Sequence, residues 1–195
     1  SIRGKGGHAA TPHLTVDPRD CYVVCANGPG IVVLPINDDG SLAPATDTVV
    51  PPGKEGPYKR EQGLGAHHHQ VLFDGSGHFL ISPDKGVDAT HIYRLDAAGG
   101  KLLPNDPPFV KSRYGAGPRH LAFHPTRPLA YQINELDSTV TTYQWDGVRG
   151  MLTPVDIRRI FRRVQPATKA PSGLQPDEIV EAARRLISEH GLAWF

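Results

Sequence analysis

His120-Leu121-Ala122-Phe123-His124-Pro125 opens a run that passes through Asn134-Glu135 and closes at Gly150-Met151-Leu152. The same plan occurs twice earlier. His13-Leu14-Thr15-Val16-Asp17-Pro18 leads through Asn27 to Gly40-Ser41-Leu42, and His69 leads through Asp84 to Gly100-Lys101-Leu102. Counted from each histidine, Asn27, Pro83 and Asn134 fall at one offset. A period of roughly 50 residues built from short strands marks a propeller or a similar array.

Each repeat reads as strand, turn, strand, turn, strand. In the third, Leu121–Phe123, Leu129–Ile133 and Thr139–Trp145 are the strands, with His124-Pro125-Thr126-Arg127-Pro128 as the first turn. The second gives Val71–Phe73, the turn Asp74-Gly75-Ser76-Gly77, then Phe79–Ser82 and Thr90–Leu95. The first gives Leu14–Val16, Tyr22–Ala26 and Ile31–Pro35. Alternation of β-branched or aromatic residues with polar ones, bounded by Gly, Pro and Asp, is the strand signature. A weaker outer strand is expected after each closure, at Ala45–Val50, Phe109–Ser112 and Val155–Ile160. The fold class is therefore all-β: about three four-stranded antiparallel propeller blades in residues 1–160. Residues 161–195 are expected to form a divergent basic and helical tail: a basic cluster, Arg158, Arg159, Arg162 and Arg163, straddles its start, and Ile179, Val180, Ala182, Ala183, Leu186 and Ile187 after Pro176 make an apolar stripe at helical spacing. Three blades are too few for a ring of roughly 4–8. The expected forms are a fragment of a longer propeller, a partial propeller that self-associates through open blade edges, or one whose tail covers an edge in place of the missing blades.

The formal net charge is +1, from 21 basic and 20 acidic residues. This makes no case for nucleic acid or an anionic membrane as partner. No apolar run approaches the roughly 18 residues that span a bilayer. Cys21 and Cys25 lie in one expected strand with α-carbons about 13 Å apart, too far for a disulfide. They are expected to be buried on one face, in keeping with a cytoplasmic protein.

Three groups carry candidate chemistry. In Ala66-His67-His68-His69, strand alternation puts His67 and His69 on one face, where they can bind a metal or share a proton. No third metal ligand is assignable from spacing, so no metal is assigned. In Gly115-Ala116-Gly117-Pro118-Arg119-His120, Arg119 sits at the entrance of an inner strand and offers a planar fork suited to carboxylate or phosphate. In Asn134-Glu135-Leu136-Asp137-Ser138-Thr139, Glu135 occupies the turn after the second strand, with Gly28 and Asp84 as its counterparts by repeat offset. Glu135 and Arg119 each belong to a blade end and are positioned to pair. His120, Asn134 and Arg60 are candidates for substrate binding. Arg60 lies in the long loop 51–65, of a length that is more often functional than accidental.

Together these motifs resemble the β-propeller lactonase family, which contains the propeller-type 6-phosphogluconolactonases and the carboxy-cis,cis-muconate cyclases. Further matches are Val33-Leu34-Pro35-Ile36 with Asp39-Gly40-Ser41-Leu42, and Asp84-Lys85-Gly86-Val87-Asp88. The resemblance covers about residues 7–155. It implies a seven-bladed propeller of roughly twice this length, a small-molecule lactone substrate and no cofactor. It places the catalytic residues at His67 or His69, Arg119 and Glu135. Two departures stand out: Ala66 replaces the usual proline, and a later Asn-Arg-Gly motif is lacking. The expected function is opening of a sugar-acid lactone such as 6-phosphogluconolactone. The alternatives are a non-catalytic binding module and a lactone-forming cyclase.

Overall fold

The computed structural model describes residues 12–160, which form three four-stranded antiparallel meanders. Blade 1 comprises β1 (His13–Val16), β2 (Tyr22–Asn27), β3 (Gly30–Pro35) and β4 (Asp47–Val49). After the short helix α1 (Lys59–Gln62) comes blade 2: β5 (Leu72–Phe73), β6 (Phe79–Asp84), β7 (Ala89–Asp96) and β8 (Lys101–Lys111). Blade 3 comprises β9 (Pro118–Phe123), β10 (Leu129–Asn134), β11 (Thr139–Asp146) and β12 (Met151–Arg159). The expected tail helix lies outside the described residues.

Local chemistry explains the turns. The Asp74 carboxylate accepts hydrogen bonds from Ser76 Oγ and the Phe79 N–H, closing the first turn of blade 2. His124 Nδ1 has the same role in blade 3, accepting from the N–H groups of Thr126 and Arg127. The Gly-x-Leu closures prove to be the turns into the outer strands: β8 begins at Lys101 and β12 at Met151, each directly after a glycine. The outer strands of blades 2 and 3 thus start earlier than the sequence alone implies, whereas that of blade 1 is confined to Asp47–Val49. These strands hold Pro104, Pro107, Pro108 and Pro154, which fit because an edge strand has one row of N–H groups unused and tolerates proline. Register shifts opposite His91/Tyr93 and Thr142/Tyr143 absorb the extra residues.

The blades are held together by two apolar layers. Tyr22, Val24, Ile31 and Val33 of blade 1 pack on Val71, Leu80, Tyr93 and Leu95 of blade 2. Phe79, Ile81 and Ile92 pack on Leu121, Ala130, Tyr143 and Trp145 of blade 3. Consecutive residues Leu80 and Ile81 serve opposite interfaces because strand side chains alternate. Every residue of β6 is buried for that reason. Full burial of each such side chain contributes about 1.5–3 kcal/mol. Blades 1 and 3 each leave a face open, with Leu14 and Val16 exposed on one, Tyr131 and Ile133 on the other.

Two expectations are corrected. The cysteines are not buried: Cys21 is exposed ahead of β2 and Cys25 is half-buried, because Tyr22, Val24 and Ala26 form the face turned to blade 2. The repeat register of blade 2 is also one residue off. Asp84 pairs with Ala89 as Asn134 pairs with Thr139, and His68 bridges Asp84 as Pro118 pairs with Asn134. Asp84, not Pro83, is therefore equivalent to Asn134. His69 stands with Arg119, Gln70 with His120, and Lys85 rather than Asp84 with Glu135.

Candidate active site

The corrected register places the candidate residues at two equivalent positions of adjacent blades. His69 and Arg119 enter the innermost strands of blades 2 and 3; Lys85 and Glu135 begin the turns that follow each blade's second strand. These positions converge. Glu135 Oε2 lies 3.4 Å from Arg119 Nη1, 3.6 Å from Lys85 Nζ and 4.0 Å from His69 Nε2. Lys85 Nζ also donates to Glu61 Oε2 at 3.2 Å. The expected meeting of Arg119 with Glu135 is thus present, and Lys85 and Glu61 are additions.

The backbone sets this geometry. The Glu135 N–H donates to Gly117 O at 2.8 Å and the Leu136 N–H to Ala116 O at 3.0 Å, joining the entry of β9 to the turn after β10. Gly117 has φ +64°, and a Cβ there would stand 2.5 Å from Leu136 Cγ. Only glycine fits so close an approach. The loop 51–65 folds onto the turn of blade 2: buried Gln62 donates through Nε2 to Lys85 O at 2.7 Å and to Asp88 Oδ1 at 3.0 Å. That contact brings Glu61 to Lys85.

The three consecutive histidines divide as strand alternation requires. His67 and His69 stack at 5.0 Å between ring centroids, 13° from parallel. His68 turns into the interior, where Ser82 Oγ lies 2.8 Å from its Nδ1. Asp84 underlies His67 and His68. Its Oδ1 accepts from the N–H groups of His67 (2.7 Å) and Gly86 (2.9 Å), and its Oδ2 faces His68 Nε2 at 3.7 Å and His91 Nε2 at 3.6 Å. Burial opposes ionisation of Asp84, but the facing His91 and His68 rings and the hydrogen bond from the His67 N–H hold its pKa below the usual carboxylate value.

Burial governs the histidines. It pushes the pKa of His69 down to about 3, helped by the neighbouring His67, Arg119 and Lys85. It pushes His68 down to about 4, against the pull of Asp84. His67 and His120 are lowered too, by burial first and then by Lys85 and Arg119 respectively. At neutral pH these rings are uncharged. Among the described residues, His69 Nδ1 and Nε2, Arg119 Nε and Glu135 Oε2 are buried atoms without a hydrogen bond.

The remaining candidates sit at differing distances from this centre. His120 stacks edge-on to His69 with ring centroids 6.3 Å apart and is at the rim. Arg60 is on α1, its side chain 84% exposed, with Nε 3.9 Å from Glu61 Oε1. Asn134 lies beneath the site: its Nδ2 donates to Thr139 Oγ1 and Thr141 Oγ1, and its Oδ1 accepts from Gln132 Nε2. That amide is committed to holding blade 3 together. Among the described residues, no group of three or more His, Cys, Asp or Glu side chains is disposed to hold a metal ion.

Comparison with known proteins bears on this cluster. Residues 3–176 match the family described as "Lactonase, 7-bladed beta-propeller". A 6-phosphogluconolactonase of Erwinia tasmaniensis is 34% identical over 149 residues, covering 73% of this chain and 41% of the relative. One of Bacillus subtilis is 29% identical over 147 residues, covering 74% and 40%. Among solved structures, a putative 6-phosphogluconolactonase of Bacteroides fragilis is similar with TM-score 0.68 at 32% identity, covering 74% of this chain and 41% of that one. A periplasmic gluconolactonase of Pseudomonas aeruginosa is similar with TM-score 0.67 at 28% identity, covering 84% and 43%. The chain spans about two fifths of the length of these relatives.

Proposed function

Because the chain belongs to the seven-bladed β-propeller lactonase family, we propose that its charged cluster opens a sugar-acid lactone such as 6-phosphogluconolactone. The observation that carries the reading is the convergence of His69, Arg119 and Lys85 on Glu135 Oε2. Each supplies a part that lactone hydrolysis needs. Arg119 polarises the ring carbonyl or holds the substrate's anionic group. His69, an uncharged imidazole, accepts a proton from water as that water attacks the carbonyl carbon. The acyl carbon–ring oxygen bond breaks, and the same ring returns its proton to the departing oxygen, which becomes the product hydroxyl. The new carboxylic acid releases its own proton to solvent. Glu135 stabilises the imidazolium formed in passing, as a carboxylate beside a histidine does in other hydrolytic sites. Lys85, held between Glu135 and Glu61, adds a second cation for an anionic substrate.

The test is the rate of lactone opening above the spontaneous rate. Arg119→Ala and His69→Ala should each reduce it by at least tenfold; unchanged rates in both would overturn the assignment. Self-association through the open faces of blades 1 and 3 is part of the same proposal, supported by exposed Leu14, Val16, Tyr131 and Ile133. Among the described residues no helix is long and apolar enough to cross a membrane. For location we propose the cytoplasm, in keeping with the free thiols Cys21 and Cys25; recovery of the protein in a periplasmic extract would overturn it.

A further inference from the structure

Asp88 closes the four-residue turn of blade 2 and stands outside the charged cluster, yet every segment that carries the cluster's acidic and basic chain ends is tied to it. Its φ is +52°, and that of Ser138, which closes the equivalent turn of blade 3, is +54°. The carbonyls of both accept an N–H from the end of the outer strand, Ser112 at 2.9 Å and Ile160 at 3.0 Å. The turn itself therefore forms equally with serine. What the carboxylate adds is reach. Asp88 is buried; its Oδ2 accepts from the Gly115 N–H at 2.7 Å, and its Oδ1 from the Gly117 N–H at 2.8 Å and Gln62 Nε2 at 3.0 Å.

Each donor leads to the cluster. Gly117 is two residues before Arg119, and its carbonyl accepts the Glu135 N–H. Gln62 follows Glu61 and donates also to the Lys85 carbonyl. Hydrogen bonds to an ionised acceptor are short and about twice as strong as neutral ones, and both oxygens are in use. We propose that Asp88 is a positioning residue whose carboxylate fixes Arg119, Glu135, Lys85 and Glu61 relative to one another, and so sets the alignment of the site for an anionic lactone. The proposal rests on the lactone-opening reading for its consequence, and on the hydrogen bonds alone for its geometry.

The test uses Asp88→Ser, which blade 3 shows to be compatible with the turn, and Asp88→Asn, which keeps the size but turns an amide N–H₂ toward a backbone N–H. Turnover is measured per folded molecule, with amide exchange at Gly115 and Gly117 and tryptic cleavage after Lys59 and Arg60 as readouts independent of activity. The expected result is kcat at least tenfold lower with KM changed less than threefold, exchange at both glycines at least tenfold faster, and faster cleavage on α1. A kcat within twofold of the parent overturns the proposal, as does unchanged exchange. If the parent opens no lactone, the functional reading fails by itself, and Asp88 is decided by exchange and cleavage, whose constancy would overturn it.

Discussion

His68 makes the interface of blades 1 and 2 acid-labile by a calculable amount. Its backbone N–H donates to Gly28 O of blade 1 and its ring is wholly buried beside Ser82 and Asp84. Burial lowers its pKa from 6.5 to about 4. The unfolded chain therefore binds a proton near pH 6.5 that the folded chain refuses until about pH 4, so stability is complete above the first value and falls as pH drops toward the second. A tenfold difference in proton affinity is worth about 1.4 kcal/mol, so the loss from this one ring is about 2 kcal/mol at pH 5 and about 3 kcal/mol at pH 4. Asp84, held below the usual carboxylate value, stays ionised across most of that window. Other lowered histidines add to the parent's total, so the informative quantity is a double difference. Urea unfolding followed by circular dichroism at pH 7 and pH 5 should show the parent losing about 2 kcal/mol more than His68→Gln. Equal losses in the two proteins would refute the reasoning, because they would mean that His68 takes up its proton in the folded state as readily as in the unfolded one.

Other consequences are equally direct. Gly117→Ala places a methyl group against Leu136 at a left-handed φ; a loss of about 2 kcal/mol in urea unfolding is expected, together with a drop in lactone opening of at least tenfold, and a neutral effect on both would contradict the close approach. With its pKa near 3, His69 stays uncharged from pH 5 to pH 8, so the rate above background should show no inflection from it in that range; a limb near pH 6.5 that disappears in His69→Gln would be inconsistent with its burial. The exposed apolar faces of the end blades predict a mass in solution above that of one chain, and Tyr131→Lys with Ile133→Lys should lower it to that of one chain; a monomeric parent would remove the self-association proposal.

Much of this architecture is visible in the sequence because a propeller repeats its chemistry. Short alternating strands, Asp and Gly at each tight turn, and the recurring histidine locate three blades and two of their interfaces. The departures have physical causes. His69 looks like the anchor of a repeat because it resembles His13 and His120, but the hairpin register is set by the four-residue turns 85–88 and 135–138, which shift blade 2 by one residue. That shift conceals Lys85, since a lysine in a turn reads as a solvated charge until it is seen to occupy the place of Glu135. Glu61 carries no signal beyond the length of its loop; it reaches the site only because Gln62 is buried on the far side of the turn. Asn134 reads as functional for being polar at a blade end, whereas its amide is spent on Thr139, Thr141 and Gln132. The outer strands of blades 2 and 3 run longer than expected because an edge position accommodates the prolines within them.

Whether the three groups gathered on Glu135 form a lactone-opening site is decided by the initial rate of 6-phosphogluconolactone hydrolysis, measured for this chain and for Glu135→Gln against buffer alone. The expected result is a rate well above the spontaneous one for the parent and a reduction of at least a hundredfold in the enzymatic part for the variant. A parent rate equal to that of buffer, or a Glu135→Gln protein as active as the parent, would contradict it.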